Sequence, residues 1–464
     1  MPRIGQISYH TSGNKLRQPR PSPPGTIRRF RRLNVVFGVL FLLFFIFQII
    51  AFTHVRKNAL SDGGATYEDE SNRSLDMTAK EDIVAPQQPK PKIAYAVTLT
   101  SCGTDAYQGQ NQPFVQGAAV LAHSIWKNSF ENSFSGSKYG HALYAFVHPD
   151  AVRCSDPLSS LGFQILVRDT PINVTEIKGK FLREHVVKSG CCGEKEYIKL
   201  YSYTLTDHPI VVHLDLDCLI LKPFDDLFDA MLDGPESPAR ERIKLMFPHD
   251  TSVEKSLPSH INAYFTRDYN MVNPGKKHVG VQGGFLVVRP SLDVFEEYRS
   301  IILEGNFRPG AGWGGQYGGY FGAQQIQGLC AYYYDHLHPG EAAELNRCYF
   351  NAMADKPIQQ SSGKCRTGED VCEDCSTKDV SDLYSVHFTL CQKPWLCRSP
   401  PGLCTKMNHE WFRMRKDMDD SHFQQQQLEG KEEVDQIASG NYRPEQFLGY
   451  CNGAGNTGYI PVKV

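Results

Sequence analysis

The chain has almost no net charge. Its 49 basic and 51 acidic side chains leave a formal charge of -2 over 464 residues, and the missing basic surplus argues against a nucleic-acid-binding protein. Hydrophobic residues make up 41% of the sequence and charged residues 22%. These ordinary proportions exclude a mostly disordered chain and a protein with many membrane spans, and they allow one large folded unit or two smaller ones.

Acidic residues are absent from the first 32 positions, which are rich in arginine and lysine. The segment 35–52 follows, and it is apolar except for Gln48 and long enough to cross a thin bilayer as a helix. Because basic residues stay on the cytoplasmic side, we predict a cytoplasmic tail over 1–34 and an uncleaved type II anchor over 35–52. A cleaved signal peptide is the alternative. A buried core helix fits less well, because no polar residues line one face of the segment.

The segment 53–91 lacks any apolar period that could build a core, and we predict a luminal stem there. Nine of the fourteen cysteines lie in the last third of the chain, which predicts disulfides and an oxidising compartment. Cys372 and Cys375 could instead be half of a zinc or redox site, but no second C-x-x-C or histidine pair follows them. Asn72 and Asn173 open glycosylation sequons, which agree with a luminal location.

From residue 92 onward, strand patterns alternate with helical ones. Strand patterns occupy 93–100, 143–148, 163–167 and 210–215, and helical spacing occupies 117–126, 195–206 and 408–430. This alternation predicts an α/β fold with a mostly parallel central sheet, which we assign to a catalytic domain over 92–464 with a cysteine-rich C-terminal part. The glycine-rich segment 310–322 is either a mobile loop over the active site or a packed loop without a special role.

Two carboxylates, Asp215 and Asp217, end the strand predicted over 210–215. Ligands of open α/β sheets bind beyond the carboxyl ends of the strands, so this strand end is where we expect chemistry. A turn there would let both carboxylates bind one divalent cation and leave coordination positions open for a diphosphate. The alternative is a pair of solvated turn residues, since an isolated D-x-D is common.

Four segments of the chain carry further motifs. The stretch 210–228 reads IVVHLDLDCLILKPFDDLF, with an apolar strand, D-x-D, a second apolar run and D-L-F. Segment 96–121 begins with an apolar strand and ends in a helical pattern, 281–290 reads VQGGFLVVRP, and 387–395 reads HFTLCQKPW. Together and in this order they resemble the glycogenin-like glycosyltransferase family 8. Segment 96–121 is similar to the first strand, donor loop and first helix of the family, 281–290 to its N-x-G stretch, and 387–395 to its H-F-x-G-x-x-K-P-W signature. The resemblance covers about residues 93–395 and implies a GT-A type nucleotide-diphospho-sugar transferase fold.

The resemblance implies a metal and phosphate site. Asp215 and Asp217 would bind Mn²⁺ or another divalent metal, with His387 as the third protein ligand. Lys393 would contact the donor diphosphate, where its charge stabilises the departing nucleotide. Lys199 would approach the donor from its helix. A structural histidine and two solvated lysines are the alternatives.

The resemblance also implies the residues that hold the donor. Thr98, Leu99 and Thr100 would line the nucleoside pocket with backbone groups, and Tyr107 would stack on a base that we expect to be uracil. The resemblance further implies that Gln282 and Gly283 bind the donor and that Gln324 contacts the transferred sugar. For each of these residues the alternative is a purely structural position in a strand, in the core or on the surface.

The sequence departs from the family at four points. An extra stretch, 108–115, follows Tyr107, so Phe114 could replace it as the stacking ring. Gln282 stands for the family's asparagine. Leu390 stands for a glycine beside the diphosphate lysine, and Ala323 for the aspartate of a D-Q pair. Because of these departures, the sequence does not assign the residues that bind the sugar and the acceptor.

We therefore predict a Golgi, lumen-facing transferase that moves a sugar from a UDP-sugar to a glycan, protein or lipid acceptor. The resemblance implies retention at the anomeric carbon, and the sequence offers no clear covalent nucleophile. Two alternatives remain open. One is a binding protein that kept the fold and lost turnover, and the other is a metal-dependent hydrolase or nucleotidyltransferase.

Overall fold

A computed structural model of the chain describes residues 91–102, 113–244, 246, 257–398, 401–428, 450–451 and 459–462. All of them belong to one unit, Pro86–Val464. The predicted tail, membrane anchor and stem up to residue 90 lie outside the described residues, as does Tyr107. None of the helices in the described part combines the length and hydropathy that crossing a membrane requires.

The described part is built around a seven-stranded sheet with the order β10-β6-β7-β4-β1-β2-β3. Strands β4, β1, β2 and β3 run parallel, β10 is parallel to β6, and β7 is antiparallel to both β4 and β6. The prediction of an α/β fold with a mostly parallel sheet is confirmed. The strands are β1 (Lys92–Leu99), β2 (Gly140–Val147), β3 (Gln164–Val167), β4 (Val211–Leu214), β5 (Cys218–Ile220), β6 (Ala263–Arg267), β7 (Val281–Val288), β8 (Phe307–Arg308), β9 (Gly312–Trp313), β10 (Ala342–Glu344), β11 (Ile358–Gln359), β12 (Lys364–Cys365) and β13 (Ser385–His387).

Both faces of this sheet are covered. Tyr95 and Val97 of β1 point into one apolar cluster, while Ala94 and Ala96 between them point into the other. Because successive side chains of a strand alternate between faces, a strand covered on both sides is apolar throughout. This explains why the central strands read as continuous apolar runs in the sequence.

Helices flank the sheet and match the predicted ones with one difference. The segment predicted as a helix over 195–206 is a 3₁₀-helix, Gly193–Thr204. The α-helices are α1 (Pro113–Lys127), α2 (Asp156–Ser160), α3 (Lys180–His185), α4 (Asp225–Leu232), α5 (Pro238–Lys244), α6 (Leu292–Glu304), α7 (Ile326–Tyr332) and α8 (Leu403–Leu428). Further 3₁₀-turns are Pro149–Cys154, Val174–Glu176, Val186–Lys188, Tyr269–Met271, Cys375–Thr377, Val380–Asp382 and Pro394–Leu396, and Tyr333–Leu337 is a π-turn.

The described residues contain five disulfides, and the four that lie in the cysteine-rich part confirm the prediction for it. Cys372 pairs with Cys365 and Cys375 with Cys348, so the C-x-x-C is neither a zinc site nor a redox pair. The other three bonds join Cys102 to Cys154, Cys391 to Cys404 and Cys397 to Cys451.

Part of the glycine-rich segment 310–322 packs against the core, while Phe321 and Gly322 at its end line a cavity. Trp313 and Tyr317 are buried against the core, and the indole N–H of Trp313 donates to the carbonyl of Ala323. Phe321 is the large apolar side chain of this loop that stays exposed.

Candidate active site

The turn after β4 carries the two carboxylates. The chain leaves β4 at Leu214, turns through Asp215 and Asp217, and enters β5 at Cys218. The turn is fixed by its own backbone, because the amide of Cys218 donates to the carbonyl of Asp215. The amide of Asp215 donates to the carbonyl of Gly284 on β7. The carboxylates therefore lie at the carboxyl end of a central strand, as predicted.

The ribbon of β5 and β13 brings His387 to this turn. The two short strands pair antiparallel with His387 opposite Cys218, and the amide of Phe388 donates to the carbonyl of Asp217. His387 Nε2 lies 3.3 Å from Asp217 Oδ1 and 3.9 Å from Asp215 Oδ2. A histidine 170 positions from the carboxylates thus faces both of them.

The ionisation states at the turn suit a hard or borderline divalent cation. Burial would raise the pKa of Asp215, but the nearby ammonium group of Lys199 holds it below its usual value, so this carboxylate is ionised. Burial lowers the pKa of His387, which keeps the imidazole neutral and able to bind a metal. The third group near them, the thiol of Cys218, has its pKa raised by burial and stays protonated. Asp215, Asp217 and His387 are therefore the fitting donor set.

Two glycines make room for the turn. A Cβ on Gly284 of β7 would stand 2.6 Å from Asp215 Oδ2 and 2.6 Å from His387 Cε1. A Cβ on Gly117 of α1 would stand 2.1 Å from the carbonyl oxygen of Leu216, between the two carboxylates. Both glycines belong to the family-like motifs, and in this chain a larger residue at either position would collide with the turn.

The 3₁₀-helix Gly193–Thr204 places a polar row beneath the turn. With three residues per turn, positions three apart stand directly above one another. Glu196, Lys199 and Ser202 form such a row, and all three are buried. The hydroxyl of Ser202 lies 2.8 Å from Nδ1 of His213 on β4, which anchors the row to the sheet.

Lys199 is fully engaged by protein atoms. Its Nζ lies 2.8 Å from Asp215 Oδ1, 2.6 Å from Glu196 Oε1 and 2.9 Å from the carbonyl oxygen of Gly283. Burial alone would lower its pKa, but Asp215 and Glu196 raise it above the usual value. The predicted approach of Lys199 to the donor stays a prediction, and what the structure shows is a lysine that orients Asp215.

A cavity of about 230 Å³ opens beside the turn. Lys393 reaches it from the chain that follows β13 and forms an ion pair with Asp217. Leu390 lines the cavity and is 43% exposed. Gln282 and Gly283 also line the cavity, and Gln282 Oε1 accepts a hydrogen bond from the amide of Gly284.

The predicted nucleoside residues lie at the end of β1. Thr98 Oγ1 is 3.2 Å from Nε2 of His213, and the carbonyl of Leu99 accepts a hydrogen bond from the amide of His148. Thr100 borders a separate surface pocket. These residues lie outside the cavity beside Asp217, and the segment after them, 103–112, is outside the described residues.

The predicted contact with the transferred sugar is Gln324. Gln324 is half-buried, its Oε1 is buried, and it does not line the cavity, whereas Gln325 and Gln327 do. Ala323 is buried. The assignment of Gln324 stays a prediction, and the two neighbouring glutamines are nearer to the site.

Sequence reasoning missed Glu196 and Asp268. Glu196 had a local signal, because it precedes Lys199 by three positions on a predicted helix. Asp268 had none, since it follows the edge-side strand β6 and reaches the cavity only through the antiparallel pairing of β6 with β7. Its Oδ1 accepts from the amide of Asn270, and Oδ2 lies 3.4 Å from Nε2 of Gln327.

Asp268 is expected to make stability depend on pH. Burial, reinforced by Asp355, raises the pKa of Asp268 to about 6, above the value of about 4 of an unfolded chain. The folded chain therefore binds the proton more tightly, and this stabilisation is complete below about pH 4 and is lost as the pH rises through about 6. Asp268→Asn, which can still cap the following turn, should remove this component. The free energy of unfolding of the parent and of the variant, measured between about pH 4 and pH 7, tests this prediction. Two curves that stay parallel across this pH range would contradict it.

Gly284→Ala is expected to lower the free energy of unfolding by about 1–3 kcal/mol, because the methyl group overpacks a buried site. The matched control is Gly283→Ala, whose Cβ would meet nothing closer than 3.4 Å. That variant should stay within about 0.5 kcal/mol of the parent. Urea unfolding measures both, and equal losses would contradict the close contact at Gly284.

Comparison with known proteins gives a limited result. No protein-family model and no curated protein match the sequence. Among solved structures, mouse xyloside xylosyltransferase 1 overlaps with a TM-score of 0.35 at 12% identity, over 64% of this chain and 96% of that one. The galactosyltransferase LgtC gives 0.36 at 12% identity over 69% and 94%. The glycosyltransferase GlyE of Streptococcus pneumoniae gives 0.36 at 12% identity over 69% and 60%. Overlaps of this size assign neither a family nor an activity.

Proposed function

We propose that this chain is a metal-dependent glycosyltransferase that uses a UDP-sugar donor, with Asp215, Asp217 and His387 holding Mn²⁺. One observation carries the proposal. At the wall of a cavity, the neutral imidazole of His387 meets the two carboxylates of the turn after β4. Its Nε2 lies 3.3 Å from Oδ1 of Asp217 and 3.9 Å from Oδ2 of Asp215. The bound metal would supply positive charge for the diphosphate leaving group.

The surrounding residues have distinct proposed tasks. Lys199 fixes Asp215 in its ionised form, and Gly284 leaves the space in which Asp215 and His387 meet. Lys393 ends in the cavity beside Asp217, where its ammonium group can contact a phosphate oxygen of the donor. We propose front-face displacement with retention, and a glycosyl-enzyme adduct on an aspartate or glutamate would contradict it.

The cellular setting is part of the proposal. Five disulfides support an oxidising compartment. The basic start of the chain and the apolar segment 35–52 support a type II anchor, for which we propose the Golgi membrane with the folded part in the lumen. The acceptor would then be a glycan, protein or lipid of the secretory pathway.

The experiment is UDP release by the purified full-length chain from a panel of UDP-hexoses and UDP-pentoses, with Mn²⁺ and with a chelator. GDP- and CMP-sugars serve as matched donor controls. We expect release from one UDP-sugar that requires the metal and stops on chelation. UDP binding without release from any donor would instead support the binding protein, and release of phosphate or pyrophosphate would support the hydrolase or nucleotidyltransferase.

A further inference from the structure

Two adjacent cysteines, Cys191 in the wall of the cavity and Cys192 next to it, have no assigned role. All fourteen cysteines are within the described residues, and ten of them form the five disulfides. Of the other four, Cys218 and Cys330 are buried and far apart in the sequence, whereas Cys191 is exposed and Cys192 is half-buried. Cys191 also lines the cavity beside the candidate metal ligands.

The two sulfur atoms face one another at a distance between that of a disulfide bond and that of an ordinary contact. Cys191 Sγ and Cys192 Sγ are 2.6 Å apart. Even carbon atoms, which are smaller than sulfur, touch only at about 3.5–4.0 Å, whereas a disulfide bond is about 2.05 Å long. The side chains are therefore arranged toward one another, as a covalent pair requires.

The loop that carries the pair is held on both sides. The buried side chain of Gln325 donates from Nε2 to the carbonyl oxygens of Ser189, at 2.8 Å, and Gly193, at 2.6 Å. Gly190 has a φ of 60°, and a Cβ there would stand 1.9 Å from Oε1 of the same glutamine. One side chain thus clamps the residues before and after the two cysteines, and glycine is needed next to them.

The pair is also connected to the candidate active site. Cys191 Sγ lies 3.3 Å from Glu196 Oε2, and the other oxygen of that carboxylate lies 2.6 Å from Lys199 Nζ. Lys199 in turn holds Asp215. A thiol at Cys191 can donate a hydrogen bond to Glu196, and a disulfide sulfur cannot.

We propose that Cys191 and Cys192 form a reversible vicinal disulfide at the edge of the cavity, where Cys191 lines the wall. A small-molecule or protein disulfide is the oxidant: one cysteine thiolate attacks it to give a mixed disulfide, and the other displaces the second thiol. The chain loses two protons and two electrons, and the oxidant becomes two thiols. Each of the other five disulfides has at least one buried cysteine, whereas this pair has none. An exposed disulfide is the labile one, so reduction should open it first.

The test counts thiols on the full-length chain, purified without reductant and then denatured in the presence of a maleimide. We expect two labelled cysteines, Cys218 and Cys330, and a peptide over 191–192 that is lighter by two hydrogen atoms than its reduced form. Treatment of the native chain with dilute dithiothreitol should raise the count to four while the other disulfides stay closed. Four labelled thiols before reduction, or opening of another disulfide first, would overturn the proposal.

The variant Cys192→Ser separates the two cases, and because the chain is denatured for labelling, burial does not hide a free thiol from the maleimide. If the pair is bonded, removing one cysteine raises the count of labelled thiols from two to three, because Cys191 becomes free. If the pair is not bonded, the same change lowers the count from four to three. Cys191→Ser should give the same rise, and a fall in either variant contradicts the vicinal bond. Because no sugar donor is needed, the outcome is independent of the proposed transferase activity.

Discussion

Replacing Asp217 by asparagine is expected to lower metal-dependent UDP release at least about a hundredfold, which is the loss typical of removing one preorganised hydrogen-bond donor from an active site. The substitution keeps the shape of the side chain and removes its charge, while the hydrogen bond from Phe388 to the Asp217 carbonyl is unaffected. Steady-state UDP release at saturating Mn²⁺ measures the loss.

The matched control for this prediction is Asp382→Asn. Asp382 is exposed in the 3₁₀-turn Val380–Asp382 and does not line the cavity. It should keep the activity of the parent. An Asp217→Asn protein that retains more than about a tenth of the parent rate would show that the D-x-D turn does not hold the catalytic cation.

Lys199→Met is expected to lower the free energy of unfolding by about 3 kcal/mol. Removing one partner of a buried ion pair leaves the other charge uncompensated, which costs about 3–5 kcal/mol. Here the variant leaves two carboxylates, Asp215 and Glu196, facing a methionine. We expect the lower end of the range, because the side chain of Asp215 is 35% exposed.

Lys195→Met is the control on the same 3₁₀-helix. Lys195 pairs with Asp150, whose side chain is 63% exposed, and a surface pair of this kind contributes about 0–1 kcal/mol. Urea unfolding compares the two variants. Equal, small losses in both would mean that Lys199 is not the centre of the polar row beneath the carboxylates.

The strand-end carboxylates could be predicted from the sequence because local patterns determine them. The apolar run before Asp215 predicts a central strand, and central strands of such sheets end at the ligand-binding edge. His387 was accessible only through the spacing of a family-like motif. Its actual position depends on the register of the ribbon that pairs it with Cys218, and no local pattern specifies that register.

Other features of the site depend on three-dimensional packing. Gly284 was part of a recognised motif, but its role arises because two side chains from different strands meet over it. Gln324 and Gln325 are adjacent, and which of them faces the cavity depends on where α7 begins, at Ile326. The 3₁₀ form of Gly193–Thr204 stacks Glu196 directly on Lys199, whereas in an α-helix the same two side chains would be neighbours that are offset around the axis.

Pulsed EPR of Mn²⁺ added to the full-length chain with UDP tests the central claim most directly, because it detects nitrogen bound to the metal without requiring turnover. The account predicts one bound Mn²⁺ with an imidazole nitrogen coupling that disappears in His387→Gln and persists in His409→Gln, an exposed histidine on α8. Absence of Mn²⁺ binding, or binding whose spectrum is unchanged by His387→Gln, would contradict a metal site built from Asp215, Asp217 and His387.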